Sequence, residues 1–99
     1  MNVYEIVQTE TFISWLHGLK DNKARARIRA RIERASLGNF GDWTSEGGEV
    51  RAIRIDHGPG YRLYFTIRGA RIIILLCGGD KRTQETDIKQ AHKLAKEIL

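Results

Sequence analysis

The sequence is poor in the features on which disulfide-bonded, zinc-bound and membrane-spanning proteins depend. One cysteine among 99 residues excludes an intramolecular disulfide and any multi-cysteine zinc site. The longest apolar run covers residues 72–77, far short of the roughly 20 residues that cross a bilayer. The N-terminus lacks a basic segment followed by an apolar run, so we recognise no secretory signal peptide and expect a cytoplasmic protein without a membrane partner.

Metal-ligating side chains are scarce and scattered. His17, His57 and His92 stand far apart and lack the spacing of metal ligands, so we predict no metal site and no cofactor. Cys77 closes an apolar strand, a position typical of a small buried hydrophobe. The glycines of residues 78–81 lack the spacing of a phosphate-binding P-loop.

The chain has the composition of a globular protein and a net positive charge. Hydrophobic residues make up 41% and charged residues 29%, which predicts one folded domain over residues 1–99. The sequence contains seventeen lysines and arginines and twelve acidic residues, which gives a net charge of +5. Eleven of the seventeen are arginines, the better bidentate ligand for phosphate. This balance favours a polyanionic partner such as RNA or DNA.

The first half of the chain predicts a short strand followed by two helices. Residues 2–8 read as the strand, and Thr9 is the expected N-cap of a helix that ends near residues 18–20. Asp21 or Asn22 is expected to cap a second helix running to about Leu37, with Gly38 as its stop. Residues 24–32 alternate like a strand, but their alanines and arginines are strong helix formers and their apolar positions share one stripe.

The second half predicts a glycine-rich loop, three strands and a last helix. The loop covers residues 38–48, and the strands cover about 49–57, 60–68 and 71–77. The last helix carries an apolar stripe from Ile88 to Ile98. The order β-α-α-β-β-β-α predicts an α+β domain with helices packed on a mainly antiparallel sheet.

A three-residue turn at residues 58–60 sets the predicted pairing of the middle strands. Asp56 is then opposite Arg62, and Arg54 is opposite Tyr64. One face is expected to enter the core, and the other to carry these four polar side chains. The core-facing residues are Ile53, Ile55, Tyr61, Leu63, Phe65 and Ile67.

The next turn, at residues 69–70, brings further cations to the same end of the predicted sheet. It places Cys77 beside Arg62, so the chain that follows delivers Lys81 and Arg82 nearby, with His57 at the adjoining turn. Two interpretations stay open: a phosphate-binding surface, or an ordinary solvated face with a cross-strand ion pair.

Two further groups of side chains have two interpretations each. Trp43 either stacks on a nucleotide or anchors its glycine-rich loop to the core. The arginines of the second helix form either a solvated face or a surface that binds RNA phosphate or an acidic protein segment. These arginines are Arg25, Arg27, Arg29, Arg31 and Arg34.

The chain resembles the RelE/ParE superfamily of bacterial toxins, and within it the HigB-like, phage-related addiction module killer proteins. The likeness runs in order through residues 12–21, 24–28, 38–42, 53–55, 58–65 and 75–84. It implies the RelE/ParE-like fold and the toxin of a type II toxin–antitoxin module. The implied partner is a cognate antitoxin of the helix-turn-helix type, encoded alongside.

The resemblance leaves two targets open. RelE- and HigB-like members are metal-independent, ribosome-dependent endoribonucleases that cleave mRNA and block translation. ParE-like members share the fold but inhibit DNA gyrase without being enzymes, and fold alone does not decide between these functions. We expect the endoribonuclease, with mRNA and the ribosome as partners; a plain nucleic-acid-binding module would need only the charge.

The resemblance and the chemistry of RNA cleavage together nominate site residues. Arg62 matches the strand arginine of the family and is expected to stabilise the transition state with Arg54, while Lys81 holds the phosphate or donates a proton. His57 is the expected base or acid. The family's C-terminal catalytic tyrosine is missing here, with His92 as a possible substitute. The predicted RNA-binding residues are Tyr64, Arg82, Arg51 and Trp43.

Overall fold

A five-stranded sheet carries α-helices on both of its faces. The computed structural model describes residues 3–98. The elements are β1 (Glu5–Gln8), α1 (Glu10–Gly18), α2 (Asn22–Ser36), β2 (Trp43–Ser45), β3 (Arg51–Ile55), β4 (Tyr61–Arg68), β5 (Ile72–Asp80), a short 3₁₀ turn (Lys81–Thr83) and α3 (Gln84–Glu97). The strand order is β1-β5-β4-β3-β2, and every pair except the parallel β1–β5 is antiparallel. The predicted α+β class is confirmed.

The two N-terminal helices begin at side chains that cap them. The Thr9 hydroxyl accepts a hydrogen bond from the Phe12 amide at 3.0 Å, and a carboxylate oxygen of Asp21 accepts one from the Ala24 amide at 3.1 Å. Gly38, with φ of +93°, adopts the left-handed conformation that ends α2. These predictions are confirmed. β1 begins at Glu5 rather than residue 2, which lies outside the described residues.

A short strand replaces part of the predicted loop at residues 38–48. β2 pairs with β3, with Trp43 opposite Ile53 and Ser45 opposite Arg51. Three residues between glycines are too few to show an alternating pattern in the sequence. β5 also runs three residues beyond its predicted end, to Asp80.

The core has two parts, one on each face of the sheet. The first lies under α1 and α2 and contains every residue predicted to face the core except Ile67, which packs against it half-buried. The second lies under α3, where Tyr64 is buried between the sheet and the helix. The prediction of a polar, solvated second face was therefore wrong for the middle of the sheet. The residues of this second part of the core are Val50, Ala52, Tyr64, Ile74, Leu76, Cys77, Ala91 and Ala95.

The predicted register between β3 and β4 is wrong by two residues. Arg54 is opposite Arg62, and Ile55 is opposite Tyr61. The connection spans residues 56–60 instead of three residues, since the Gly60 amide bonds back to the His57 carbonyl at 3.0 Å. A shift of two residues leaves each side chain on its predicted face, so the core assignment survived the error.

The predicted register between β4 and β5 also fails. Their turn has three residues, because Arg68 is opposite Ile72, and a bulge at Tyr64 adds one more residue to β5. Cys77 consequently lies beside Tyr64, and Gly79 takes the predicted place beside Arg62.

Two consecutive glycines near the end of β5 make room for side chains on opposite faces. A Cβ atom on Gly78 would lie 2.3 Å from ring atoms of Trp15 in α1. A Cβ atom on Gly79 would lie 1.8 Å from a carboxylate oxygen of Asp87 in α3. The glycines therefore let both helices approach the backbone of β5 directly.

Between residues 3 and 98, no helix has the length and apolar content needed to span a membrane.

Candidate functional site

A depression of about 390 Å³ opens at the end of the sheet where β3 finishes and β4 begins. We call it the cationic depression; its lining is Asp42, Arg54, Ile55, Asp56, Gly60, Tyr61, Arg62 and Lys81. Arg54 and Arg62 are cross-strand neighbours, and Lys81 follows directly after β5. The structure thus brings together three of the four residues predicted to be catalytic.

Gly60 holds Lys81 against the depression. The Lys81 amide donates a hydrogen bond to the Gly60 carbonyl at 3.1 Å. A Cβ atom on Gly60 would lie 2.9 Å from the Cε atom of Lys81, so the lysine stem passes over a position without a side chain. Gly60 also has φ of +81°, a conformation that other residues rarely adopt.

Asp42 fixes the orientation of Arg54. Its carboxylate accepts hydrogen bonds from Nη2 and Nε of Arg54 at 2.7 and 3.3 Å, and its carbonyl accepts one from the Arg54 amide at 2.8 Å. The same side-chain hydrogen bond lowers the pKa of Asp42 and raises the pKa of Arg54. Arg54 therefore points into the depression as a preoriented cation whose charge is partly balanced.

Arg62 differs from Arg54 because its guanidinium forms no direct ion pair with a carboxylate of the described residues. None of the ion pairs found within residues 3–98 involves Arg62. Its Nε atom is buried without a hydrogen-bond partner, while the residue as a whole stays partly exposed at the depression. A half-buried guanidinium without an ion pair is suited to binding an anion, since the anion would balance its charge.

His57 does not line the cationic depression. Its ring stacks on Tyr61, with 6.4 Å between centroids, and its Nε2 atom lies 3.2 Å from a carboxylate oxygen of Asp21. The Ala24 amide first, and then this histidine, lower the pKa of Asp21. The connection of residues 56–60 turns the His57 ring toward Asp21 at the start of α2, and not toward Arg62 as predicted.

Arg82 is also separate from Arg62. Its guanidinium pairs with Asp80 at 2.8 Å, and its side chain is 80% exposed outside the cationic depression. The hydrogen bond from Arg82 lowers the pKa of Asp80. The Arg82 side chain is therefore exposed to solvent, but its guanidinium is already paired with Asp80, two residues earlier in the chain.

Trp43, which is exposed, and Arg51, which is half-buried, form a pair at the edge of the sheet. The Arg51 guanidinium carbon lies 5.2 Å from the centroid of the Trp43 ring, and Trp43 is 42% exposed. The interpretation of Trp43 as an anchor in the core was wrong. The pair is a preformed aromatic and cationic surface, but neither residue lines the cationic depression.

Tyr64 cannot stack on an RNA base, because it is completely buried under α3. Burial is also the main cause that raises the pKa of Tyr64 to about 12. The predicted stacking role was wrong, since the alternation of the strand gave no information about the helix that covers this face. His92, the suggested substitute for the missing tyrosine, points elsewhere and donates to the Glu46 carbonyl at 3.0 Å.

Replacing Tyr64 by phenylalanine is expected to leave the free energy of unfolding unchanged or to raise it by up to about 1 kcal/mol. The Tyr64 hydroxyl is buried without a hydrogen-bond partner, so its removal loses no bond and relieves its desolvation. Urea unfolding of the two proteins measures the difference. A loss above about 1 kcal/mol would mean that the hydroxyl is satisfied in solution.

Cys77 is buried, as expected from its apolar strand. Burial raises the pKa of its thiol to about 12, so it stays protonated and unreactive. Its Sγ atom lies 3.5 Å from the Asp87 carbonyl, to which it donates.

Asp87 is a neighbour of the cationic depression that was not among the residues predicted from the sequence. Its carboxylate lies over Gly79, the cross-strand partner of Arg62, and accepts a hydrogen bond from the Thr83 hydroxyl at 2.5 Å. Burial is the main cause that raises its pKa above the ordinary value of 3.8. The two adjacent glycines were the only signal in the sequence that another side chain approaches here.

The raised pKa of Asp87 predicts that replacing this residue by asparagine increases stability in a pH-dependent way. Because the folded state favours the protonated carboxyl, ionisation of Asp87 above about pH 3.8 lowers the free energy of unfolding of the wild type. Asp87→Asn is expected to be more stable than wild type at pH 7, by less than about 1 kcal/mol because the carboxyl is partly solvated. The difference should shrink toward pH 4. Urea unfolding at both pH values tests this, with Glu85→Gln in the same turn of α3 as the control.

Within the described part of the chain, no three histidine, cysteine or acidic side chains lie close enough to share a metal ion. The ionisable residues that line the cationic depression are Arg54, Arg62, Lys81, Asp42, Asp56 and Tyr61. Such a set binds an anion and moves protons.

Comparison with known proteins finds similarity to a protein family, to a sequence relative and to a solved structure. The family model of phage-derived Gp49-like proteins (DUF891) matches residues 14–99. An uncharacterized protein of Haemophilus influenzae is 51% identical over 94 residues, which cover 95% of each chain. The free-state structure of an arginine-to-alanine double mutant of the E. coli toxin RelE has a TM-score of 0.73 at 14% identity and covers 100% of both chains. At that identity the likeness concerns the fold.

Proposed function

Because the chain belongs to the Gp49-like family of phage-derived proteins, within the RelE/ParE superfamily, and has the fold of the toxin RelE, we propose that it is the toxin of a type II toxin–antitoxin pair. We further propose that it is a ribosome-dependent mRNA endoribonuclease acting in the cytoplasm and neutralised by a helix-turn-helix antitoxin encoded alongside.

The observation that carries the enzymatic part is the cationic depression. Arg54, Arg62 and Lys81 line one concave site of about 390 Å³. Cleavage of RNA builds negative charge on a pentacoordinate phosphate, and preoriented cations in a concave site stabilise such charge. Arg62, which has no ion-pair partner among the described residues, is proposed as the main ligand of this phosphate.

The proposed reaction is an internal transesterification. The ribose O2′ loses its proton and forms a bond to phosphorus, and the bond from phosphorus to O5′ breaks. The products are a 2′,3′-cyclic phosphate and a 5′-hydroxyl group. Lys81 is proposed to give its proton to O5′ as this oxygen leaves.

Asp56 is proposed to accept the proton from O2′. Two carboxylates line the cationic depression, and Asp42 is occupied by Arg54. His57, expected from the sequence to act as base or acid, is held by Asp21 outside this lining. Asp56 therefore replaces His57 in the proposed mechanism.

Primer extension on an mRNA translated in a purified system tests the function. New 5′ ends inside codons that appear only with ribosomes and the wild-type protein would support the endoribonuclease. Intact mRNA together with inhibition of DNA supercoiling by purified gyrase would replace it with the ParE-like function. Intact mRNA with active gyrase would leave only nucleic-acid binding through charge.

A further inference from the structure

A second concave surface adjoins the cationic depression. We call it the α2 groove; it has a volume of about 250 Å³ and is lined by Arg27, Ala30, Arg31, Arg34, Ile55 and Asp56. Ile55 and Asp56, at the end of β3, line both surfaces. The two concavities therefore meet at one ridge, and an extended chain crossing that ridge can occupy both.

The three arginines of the α2 groove lie on one flank of the helix. Residues 27, 31 and 34 follow the spacing that places side chains above one another, with steps of about 6 and 4.5 Å along the helix axis. Arg27 and Arg34 are exposed and take part in none of the ion pairs within residues 3–98. Their charges are therefore open to an external anion.

Arg31 fixes this row to the cationic depression. Its guanidinium donates to the carbonyl of Arg54 at 3.1 Å and to the carbonyl of Phe40 at 3.2 Å. Burial first, and then the charge of Arg34, lower the pKa of Arg31. A partly buried cation beside a second cation is a site where a bound anion relieves repulsion.

We propose that the α2 groove binds the phosphates of the RNA strand next to the phosphate held in the cationic depression. The inference rests on the proposed function and adds the path of the substrate. The two surfaces together present six cationic side chains against the two carboxylates of Asp42 and Asp56. A continuous row of guanidinium groups leading into the depression fits a polyanion with regularly spaced charges, and phosphate contacts of this kind set the register of a bound strand.

The test compares RNA binding by two double variants. Arg27→Ala/Arg34→Ala removes the open charges of the α2 groove. Arg29→Ala/Arg71→Ala is the matched control, because it removes two exposed arginines from the other flank of α2 and from the β4–β5 turn at the far end of the sheet. Circular dichroism and thermal unfolding establish that each variant is folded.

Fluorescence anisotropy is measured with single-stranded RNA carrying 2′-O-methyl groups, which prevents cleavage. With a 12-nucleotide strand, we expect Arg27→Ala/Arg34→Ala to bind roughly tenfold more weakly, and the slope of log affinity against log salt to fall by about 1.4 in magnitude. With a trinucleotide, which carries only two phosphates, the same variant should lose less affinity, because the cationic depression is unchanged in it. The control variant should lose no more than about twofold with either strand.

The outcomes separate this inference from the proposed function. If the wild type binds neither strand, the inference falls, while the proposed function is still decided by cleavage of ribosome-bound mRNA. If the wild type binds but the two double variants weaken the 12-nucleotide strand equally, the α2 groove is not on the RNA path and the proposed function stands. If Arg27→Ala/Arg34→Ala keeps its affinity for RNA but no longer binds the antitoxin, the groove belongs to an acidic protein segment and the inference is overturned.

Discussion

Arg62→Ala is expected to lower the rate of RNA cleavage by about 100- to 1,000-fold, the usual cost of removing one preoriented donor to a charged transition state. Arg62 forms no ion pair among residues 3–98, so its guanidinium is not committed to a carboxylate of the protein and can bind the phosphate. Single-turnover cleavage of ribosome-bound mRNA, measured by primer extension, gives the rate.

Arg82→Ala is the matched control for this effect. It removes the same side chain from a site two residues past Asp80, where the guanidinium is exposed and paired outside the depression. We expect its rate to stay within roughly twofold of wild type, as for exposed ion pairs in general. A folded Arg62→Ala variant that cleaves as fast as Arg82→Ala would remove Arg62 from the mechanism.

Arg62→Lys separates charge from geometry. Lysine keeps the positive charge but lacks the planar fork that binds two phosphate oxygens at once. If the fork is what matters, the lysine variant will cleave nearly as slowly as the alanine variant. Recovery to near the wild-type rate would instead show that a point charge at this position is sufficient.

The sequence predicted the parts of the fold that depend on local chemistry. The caps at Thr9 and Asp21 and the stop at Gly38 need only neighbouring residues, and all three are observed. The core face of β3 and β4 was also correct, because the alternation of a strand survives a register shift of two residues. Arg54, Arg62 and Lys81 were brought together for the same reason: each lies at the same end of the sheet in either register.

What the sequence did not predict depends on contacts between distant segments. The position of His57 changes with the length of one connection, and Asp21 draws its ring toward α2. The burial of Tyr64 depends on α3, which begins twenty residues later in the chain. Neither turn length nor the face covered by a helix is specified by the alternating pattern of a strand.

Gly78→Ala is expected to destabilise the fold by about 1–3 kcal/mol, as overpacking of a core does. The new Cβ atom would lie 2.3 Å from the ring of Trp15, which packs between Phe12 and Tyr61 with centroids 5.7 and 6.2 Å away. A rigid ring held on both sides cannot yield as a flexible side chain can. Each kcal/mol should lower the melting temperature by roughly 4–8 °C in a domain of this size.

Gly18→Ala is the control, because a Cβ atom there meets nothing within 4 Å at the end of α1. It should be neutral or slightly stabilising, since alanine restricts the unfolded chain more than glycine does.

A double-mutant cycle with Trp15→Leu then tests whether the ring of Trp15 causes the destabilisation by Gly78→Ala. If the clash is responsible, the double variant loses less stability than the sum of the single losses. Strict additivity would mean that α1 does not rest on Gly78, and the close approach of that helix to β5 beside Arg62 would be wrong.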